Sequence, residues 1–252
     1  MKLHRPITAV TFDVGGTLIE PWPSVGHVYA EVAVRWGIHG VTPEALNRGF
    51  AAAWQARRPF DHSRAAWQRI VNQTFATAGA ARLSDACFNA LYERFAQASA
   101  WRLFDDVLPA LEALAARGLR LGIVSNWDER LGPLLVTLGL VKYFHAIIVS
   151  CEVAHPKPDR QIFLRAAAEL GCEPAALVHV GDSVEEDLDG ARAARLQAVL
   201  IDRSGPHARH GEAESAGSAE VPPPYVGGYE VISSLMDLQA SLESAGASGH
   251  LN

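Results

Sequence analysis

The sequence predicts an α/β fold: a doubly wound parallel sheet with an all-helical block inserted near its beginning. Between residues 107 and 201, short apolar runs alternate with amphipathic segments, which is typical of parallel strands joined by helices. Several amphipathic segments end at a glycine, the residue that most often terminates a helix. The apolar runs end in polar residues, and open parallel sheets bind their ligands at the carboxyl ends of the strands.

The first predicted strand covers residues 7–13, an apolar run with β-branched residues that ends at Asp13. Gly15 and Gly16 follow it and allow a tight turn, with a close approach of the backbone to a ligand. The Asp13 carboxylate can be a nucleophile, a metal ligand or both. It can also simply cap the end of the strand, and this stretch alone leaves these alternatives open.

Residues 20–100 have helical spacing and predict a separate helical domain without strands. Thr42 and Pro43 mark one helix start, because Thr caps helix N-termini and Pro fits the first helical position. The predicted helices cover residues 24–36, 43 onward, 64–78 and 84–98.

The α/β core is predicted to comprise residues 1–19 and 101–252. Its helices are predicted at 107–117, 128–138, 159–170 and 185–194, and its strands at 119–124, 146–149, 177–180 and 197–201. Residues 204–228 are rich in Gly, Ala, Ser, Glu and Pro, and they predict a long surface loop. A last short strand and helix are predicted within residues 231–242.

The composition excludes several classes of protein. The formal net charge of −6 argues against nucleic-acid binding, which usually relies on a basic face. The three cysteines are scattered, so they predict neither a disulfide framework nor a zinc site. No apolar run reaches the ~18 residues of a membrane span, and the first residues carry no signal-peptide pattern. We therefore expect a cytoplasmic protein without nucleic-acid or membrane partners, either a monomer or a homodimer.

Polar residues at the predicted strand ends form a candidate site at one edge of the sheet. They are Asp13 after the first strand, Ser125 and Asn126 after the second, Lys157 in the loop after the third, and Asp182 and Asp187 after the fourth. Carboxylates together with a backbone carbonyl suit a hard cation such as Mg²⁺. A lysine, a hydroxyl and the N–H groups of a glycine turn suit the oxygens of a phosphoryl group.

Four motifs in this order resemble the haloacid dehalogenase-like (HAD) superfamily of hydrolases. Residues 13–17 correspond to its first motif, DxDGT, and Ser125 corresponds to the second, a strand that ends in Ser or Thr. Lys157, which precedes a proline, corresponds to the third motif, and residues 181–187 correspond to the fourth, GDSxxxD. The resemblance implies a Rossmann-like core. It also implies that residues 20–100, between the first and second motifs, are the helical cap of one subfamily.

The resemblance further implies roles for the motif residues. Asp13 would attack phosphorus and form an aspartyl-phosphate, while Lys157 would neutralise charge beside it. Ser125, Asn126 and the Gly16 amide would bind the phosphoryl oxygens of a small phosphorylated substrate.

The same resemblance implies Mg²⁺ as the cofactor. Asp13, the Gly15 backbone carbonyl and Asp182 would hold the ion, and Asp187 would support these ligands through water.

One position departs from the family pattern. In phosphatases of the family, the residue two positions after the nucleophile is an aspartate that protonates the leaving group, whereas this chain has Gly15 there. General acid–base catalysis contributes roughly 10²–10⁴ in rate, so an alkyl phosphate would lose more of its rate than an acyl or aryl phosphate. The sequence therefore predicts a phosphohydrolase with weak or narrow activity.

Two alternatives stay open. A 2-haloacid dehalogenase-type hydrolase would also lack this aspartate, but such enzymes work without Mg²⁺, whereas Asp182 and Asp187 are both present here. A non-catalytic scaffold that binds a phosphorylated ligand or a protein partner is the other alternative. Phosphonatase chemistry is disfavoured because it uses a cap lysine, and no lysine lies between Lys2 and Lys142.

Two further stretches are informative. Residues 22–30 resemble the branch of the superfamily that contains hydrolase domain-containing protein 3, a resemblance that supplies no substrate. His179 lies within the fourth predicted core strand, and we interpret it as a hydrogen-bonded core residue rather than a catalytic one.

Overall fold

The computed structural model describes residues 7–57, 60–80, 82–204 and 229–238, together with Ala240 and Leu242. The chain forms two compact units. The α/β unit contains the residues up to Ile19, Leu103–Asn126 and the residues from Leu140 onward, and the helical unit contains Glu20–Arg102 and Trp127–Gly139. None of the helices in the described part of the chain has the length and apolar composition of a transmembrane span.

Most of the predicted strands and helices are present close to their predicted positions. The strands are β1 (Ala9–Phe12), β2 (Ile19–Pro21), β3 (Trp101–Leu103), β4 (Arg120–Ser125), β5 (Ala146–Val149), β6 (Leu177–Gly181), β7 (Gln197–Ile201) and β8 (Glu230–Ile232). The helices are α1 (Val25–Arg35), α2 (Pro43–Gln55), α3 (Arg64–Thr77), α4 (Asp85–Arg94), α5 (Val107–Ala116), α6 (Leu131–Thr137), α7 (Ser150–Val153), α8 (Arg160–Glu169) and α9 (Gly190–Ala193). A π-helical segment, Val184–Asp189, leads into α9.

A six-stranded sheet forms the centre of the α/β unit. Its strand order is β5-β4-β1-β6-β7-β8, and all neighbouring strands run parallel. The central strand β1 is fully buried because β4 and β6 pair with it on either side. In this register Phe12 lies beside both Ile123 of β4 and Val180 of β6, so the carboxyl ends of three strands meet at one edge. The predicted parallel α/β fold is confirmed.

Helices α5 and α8 pack against the sheet and complete its core. The apolar face of α8 buries Ile162, Phe163 and Ala166 in one cluster with Ile148 of β5 and Val124 of β4. This helix begins where the Asp159 carboxylate accepts the Gln161 N–H, as expected for an N-cap aspartate. Burial on this face fixes the segment that precedes α8, which contains Lys157.

The helical unit has a separate aromatic core. Tyr29 of α1 stacks on Phe75 of α3, with 5.7 Å between the ring centroids, and packs edge-on against Phe50 of α2. Residues 127–139, predicted as part of the core domain, group with this unit instead. The reason is local, because Arg130 donates to the Tyr92 carbonyl over 2.8 Å and its guanidinium lies 3.5 Å from the centre of the Tyr92 ring.

Several details differ from the predictions. The short strands β2 and β3 pair in a two-stranded sheet that the sequence analysis did not predict. The helix predicted at 128–138 begins only at Leu131, and the one predicted at 185–194 consists of the π-helical segment and α9. The loop predicted at 204–228 lies outside the described residues, apart from Ser204. The role of the helical unit as a cap stays a prediction.

Candidate active site

Asp13 follows the last residue of β1 and lies among the ends of the three central strands. Its N–H donates to the Val180 carbonyl over 2.9 Å, which continues the ladder with β6 and fixes the backbone. The carboxylate oxygen Oδ1 accepts two hydrogen bonds of 2.8 Å, one from the Ser125 hydroxyl and one from the Lys157 ammonium. The other oxygen, Oδ2, has no partner among the described residues and is available to a ligand.

Lys157 is buried between two carboxylates. Its ammonium lies 2.8 Å from Asp13 Oδ1 and 2.5 Å from Asp187 Oδ1. Burial by itself would lower the pKa of Lys157, but the two carboxylates outweigh it and raise that pKa above its usual value. The lysine is therefore a fixed positive charge beside Asp13 at neutral pH.

Asn126 holds the backbone of Lys157 at a set distance from the end of β4. Its Oδ1 accepts the Lys157 N–H over 2.7 Å, and its Nδ2 donates to the Lys157 carbonyl over 3.0 Å and to Glu186 Oε2 over 3.1 Å. The resemblance implied that Asn126 binds phosphoryl oxygens. In the structure its side-chain amide contacts the backbone of Lys157 and the Glu186 carboxylate, and its role at a phosphoryl group stays a prediction.

The backbone of the turn after Asp13 offers both donors and an acceptor to a ligand. The Gly16 amide, which the resemblance assigned to the phosphoryl group, donates to the Ile19 carbonyl over 2.9 Å. The N–H groups of Val14 and Gly15 and the Gly15 carbonyl have no partner among the described residues. The two N–H groups can therefore receive an anion, and the carbonyl can receive a cation. The N–H groups of the glycine turn were predicted from the sequence to suit a phosphoryl group, but the Val14 amide was not, although its position directly after Asp13 was a usable signal.

Three carboxylates, those of Asp13, Asp182 and Asp187, lie together, with one oxygen of each within 4.8 Å of the others. Lys157 is the cation that contacts this group in the described part of the chain. Asp182 as a whole residue is exposed, but its carboxyl group is largely desolvated. This desolvation and the two neighbouring carboxylates raise the pKa of Asp182 to about 7. The excess of negative charge and the set of hard oxygen ligands fit a divalent cation such as Mg²⁺.

Asp187 has little capacity left for a direct metal bond. Its Oδ1 accepts from Lys157 and from His179 Nε2, the latter over 3.0 Å, and its Oδ2 accepts the Ser183 N–H over 2.9 Å. Burial opposes ionisation, but Lys157 and His179 outweigh it and hold the pKa of Asp187 below its usual value. With these contacts, Asp187 is better suited to support the metal ligands through a water molecule than to bind the ion directly.

His179 lies on β6 beneath this cluster and is fully buried, so it is the hydrogen-bonded core residue that the sequence analysis expected. Its register partner on β1 is Thr11, whose hydroxyl lies 3.0 Å from His179 Nδ1. The sequence analysis did not predict the contacts to Thr11 and Asp187. The available signal was a pair of polar residues inside two apolar strands.

The chain is similar to known proteins of one hydrolase family. The family model described as haloacid dehalogenase-like hydrolase matches residues 7–195. The human haloacid dehalogenase-like hydrolase domain-containing protein 3 is 34% identical over 210 residues, which cover 79% of this chain and 83% of the human protein. This relative confirms the predicted branch. A glyceraldehyde 3-phosphate phosphatase from Methanopyrus kandleri is 35% identical over 106 residues, which cover 40% of this chain and 43% of that protein.

Solved structures of two related enzymes also superpose on the chain. A HAD phosphatase from Thermococcus onnurineus has a TM-score of 0.60 and 27% identity, covering 94% of this chain and 99% of the other. A 2-haloacid dehalogenase from Pseudomonas syringae pv. Tomato DC3000 has a TM-score of 0.59 and 25% identity, covering 94% and 98%. Because the family model spans most of the chain and the human relative is matched over most of its own length, this chain belongs to the haloacid dehalogenase-like hydrolase family.

Proposed function

We propose that this protein is a Mg²⁺-dependent phosphohydrolase that acts on a small phosphorylated metabolite through an aspartyl-phosphate at Asp13. One observation carries the proposal: Lys157 and Ser125 hold one oxygen of Asp13, and its other oxygen and the two following N–H groups have no partner in the described region. An anionic group that reaches Asp13 Oδ2 would meet those amides. The phosphatases among the relatives support the same reaction type.

In the proposed reaction, Asp13 attacks phosphorus and the bond from phosphorus to the leaving oxygen breaks, with its electron pair going to the leaving group. Lys157 offsets the charge of Asp13 and Asp187 throughout, and Ser125 orients the attacking carboxylate. Water then attacks the phosphorus of the aspartyl-phosphate, which releases inorganic phosphate and restores Asp13.

The metal site would use Asp13, the Gly15 carbonyl and Asp182, with Asp187 acting through water. When bound there, Mg²⁺ would neutralise the crowded carboxylates and the charge on the phosphoryl oxygens. Gly15 supplies no proton to the leaving group, so substrates whose leaving groups need no protonation should react best. Acyl and aryl phosphates meet this condition.

The dehalogenase alternative has one observation in its favour, the structural similarity to a 2-haloacid dehalogenase. The cluster of Asp13, Asp182 and Asp187 argues against it, because a dehalogenase of this family has no need of a cation site. The non-catalytic alternative predicts a site that binds phosphate without turnover.

An activity assay separates the three functions. The protein is assayed with acetyl phosphate, p-nitrophenyl phosphate and a 2-haloacid, each with Mg²⁺ and with chelator. We expect Mg²⁺-dependent release of phosphate from the two phosphates, and a loss of about 10³-fold or more in Asp13→Asn. Asp189→Asn is the control, since Asp189 is an exposed carboxylate at the end of the π-helical segment and is not one of the site residues. Chloride release would favour the dehalogenase, and no turnover of any substrate would refute both enzymatic functions.

The missing acid can be tested directly at position 15. Gly15→Asp should raise the hydrolysis of an alkyl phosphate by up to about 10²-fold and change acetyl phosphate hydrolysis much less. Gly15→Asn has nearly the same shape without the ionisable group, and it should give no such gain. An equal effect of both substitutions would show that proton donation is not the limiting step.

A further inference from the structure

His179 forms a buried link between β1 and the Lys157–Asp187 ion pair. Its Nδ1 lies 3.0 Å from the Thr11 hydroxyl, and its Nε2 lies 3.0 Å from Asp187 Oδ1. The ring packs edge-on against Phe163, with 5.0 Å between the centroids, and none of it is exposed. The same Asp187 oxygen receives the Lys157 ammonium over 2.5 Å. The histidine therefore helps to fix the carboxylate that fixes the lysine.

The hydrogen-bond partners determine where the proton on His179 lies. Asp187 is ionised and can only accept, so His179 Nε2 must donate to it. Burial lowers the pKa of His179, which keeps the ring neutral and leaves Nδ1 as an acceptor. The Thr11 hydroxyl must then donate to Nδ1, in preference to the Val178 carbonyl, which lies farther away at 3.4 Å.

We propose that Thr11 and His179 are positioning residues for the reaction: the Thr11 hydroxyl fixes the orientation of the His179 ring, and the Nε2–H of that ring holds Asp187 and, through it, Lys157. The catalytic part of this inference rests on the proposed function, whereas the orientation of the ring does not. Neither residue belongs to the four sequence motifs.

The physical consequence of removing the hydroxyl follows from the tautomer. Without a donor at Nδ1, the ring keeps its Nε2–H bond to Asp187 but loses the bond on its other side, and Nδ1 is left as an unsatisfied buried acceptor. The ring can then shift within the core. Asp187 and the Lys157 ammonium would shift with it relative to Asp13. Partners of this kind, one step behind the reacting groups, typically change activity by about 10- to 100-fold.

The matched variants are Thr11→Val, which removes the hydroxyl at nearly constant volume, and Thr11→Ser, which keeps it. The first readout is the ¹⁵N spectrum of the histidine side chains, with the His179 signals assigned from their loss in His179→Gln. We expect the Nε2–H tautomer in all three proteins. The Nδ1 signal should keep its parent position in Thr11→Ser and move downfield in Thr11→Val, because this nitrogen then no longer accepts a hydrogen bond. An Nδ1 signal of Thr11→Val at the parent position would overturn the proposal.

The second readout is the kinetics of acetyl phosphate hydrolysis. We expect kcat to fall by about 10- to 100-fold in Thr11→Val with KM little changed, and Thr11→Ser to restore most of the loss. Equal losses in both variants, or a change in KM alone, would contradict a positioning role.

Two further outcomes are distinguishable. If the parent protein hydrolyses no phosphate, the proposed function fails, but the ¹⁵N spectrum still decides whether Thr11 donates to His179 Nδ1. If Thr11→Val does not fold, His179→Gln and His179→Leu replace it. Gln keeps a donor for Asp187 and Leu does not, so a larger fall in kcat for Leu supports the proposal and equal falls overturn it.

Discussion

Gly16 lies in the loop after Asp13 with a φ of +77°, in the left-handed region that favours glycine. A Cβ at this position would lie 2.4 Å from Asp182 Oδ2 and 2.9 Å from Asp182 Cγ. The absence of a side chain therefore allows the proposed metal ligand to approach the loop that carries the nucleophile. Backbone conformation and ligand position depend on the same residue.

Substitution of Gly16 by Ala should prevent Mg²⁺ from binding at the proposed site. An alanine in the left-handed conformation lowers the stability of the protein by about 1 kcal/mol. Its Cβ would also clash with the Asp182 carboxylate and displace it. We expect the rise in Tm on adding Mg²⁺ to disappear and acetyl phosphate hydrolysis to fall about 10- to 100-fold. The measurements are thermal unfolding with and without Mg²⁺, and the rate of phosphate release.

Gly118→Ala is the matched control for this prediction. Gly118 has a φ of +76°, but nothing lies within 4 Å of the position of its Cβ. Gly118→Ala should lose only the stability that the left-handed backbone costs an alanine. Its Tm should still rise on adding Mg²⁺, and its activity should be unchanged. If Gly16→Ala behaves like Gly118→Ala, the proposed role of Asp182 at the metal is wrong.

At the scale of elements, Asn126 joins the end of β4 to the loop before α8. It makes two hydrogen bonds to the Lys157 backbone, one from the Lys157 N–H over 2.7 Å and one to the Lys157 carbonyl over 3.0 Å. A net value of about 1 kcal/mol for each bond predicts that Asn126→Ala destabilises the protein by about 2 kcal/mol. It should also lower kcat by about tenfold or more, because the lysine loses its fixed distance from Asp13. Urea unfolding and the hydrolysis of acetyl phosphate measure the two effects.

The helical unit offers a matched control. Asn47 accepts the Gly26 N–H over 2.7 Å and donates to the Ser24 hydroxyl over 2.9 Å, so it also ties two segments with one amide. Asn47→Ala should reduce stability by a similar amount and leave kcat unchanged. If both variants lose stability but neither loses kcat, Asn126 acts on the fold only.

Elements defined by local chemistry could be predicted from the sequence. The starts of α1, α2 and α4 are set by Ser24, Thr42 and Ser84, whose hydroxyls each accept an N–H inside the first turn. Elements that depend on distant partners could not. Strands β2 and β3 have three residues each, which is too short for a periodic pattern, and they form only by pairing with each other.

In the candidate site, too, some features could be predicted from the sequence and others depend on distant partners. The strand-end rule and the motif order predicted that Asp13, Ser125 and Lys157 come together, and their hydrogen bonds agree with this. How each group uses its hydrogen bonds could not be predicted. Whether Asn126 contacts a ligand or the Lys157 backbone depends on the distance between two segments that are remote in sequence. The roles of these residues in catalysis stay predictions.

At the scale of the α/β unit as a whole, Asp106 and Arg203 tie together segments that are far apart in the chain. Asp106 Oδ2 accepts from Arg203 Nη1 over 2.7 Å, from the Ser234 hydroxyl over 2.8 Å and from the Leu235 N–H over 2.7 Å. Arg203 also donates to the Thr17 carbonyl, with its Nη2 at 2.7 Å. This cluster, Thr17–Asp106–Arg203–Ser234, connects the loop after Asp13 with the residues that follow β8.

The cluster should make stability depend on pH in a defined direction. Burial opposes ionisation of Asp106, but Arg203 and the other donors outweigh it and lower the pKa of Asp106. The unfolded chain, with an aspartate pKa of about 3.9, therefore takes up a proton before the folded protein does. The stabilisation is fully present above that pKa and is lost as the pH falls through the lower folded value. Asp106→Asn should lack this contribution and be less stable than the parent by about 2 kcal/mol at pH 7.

Urea unfolding of the parent protein and of Asp106→Asn, measured between about pH 7 and pH 3, tests this difference. The difference in unfolding free energy between the parent protein and Asp106→Asn should be constant near neutral pH. It should become smaller as the pH falls below the aspartate pKa of the unfolded chain. Asp105→Asn is the control, because Asp105 is the adjacent residue and is exposed, and it should show no such narrowing. A gap that stays constant to the lowest pH would mean that the shape of the Asp106 side chain, and not its charge, joins these segments.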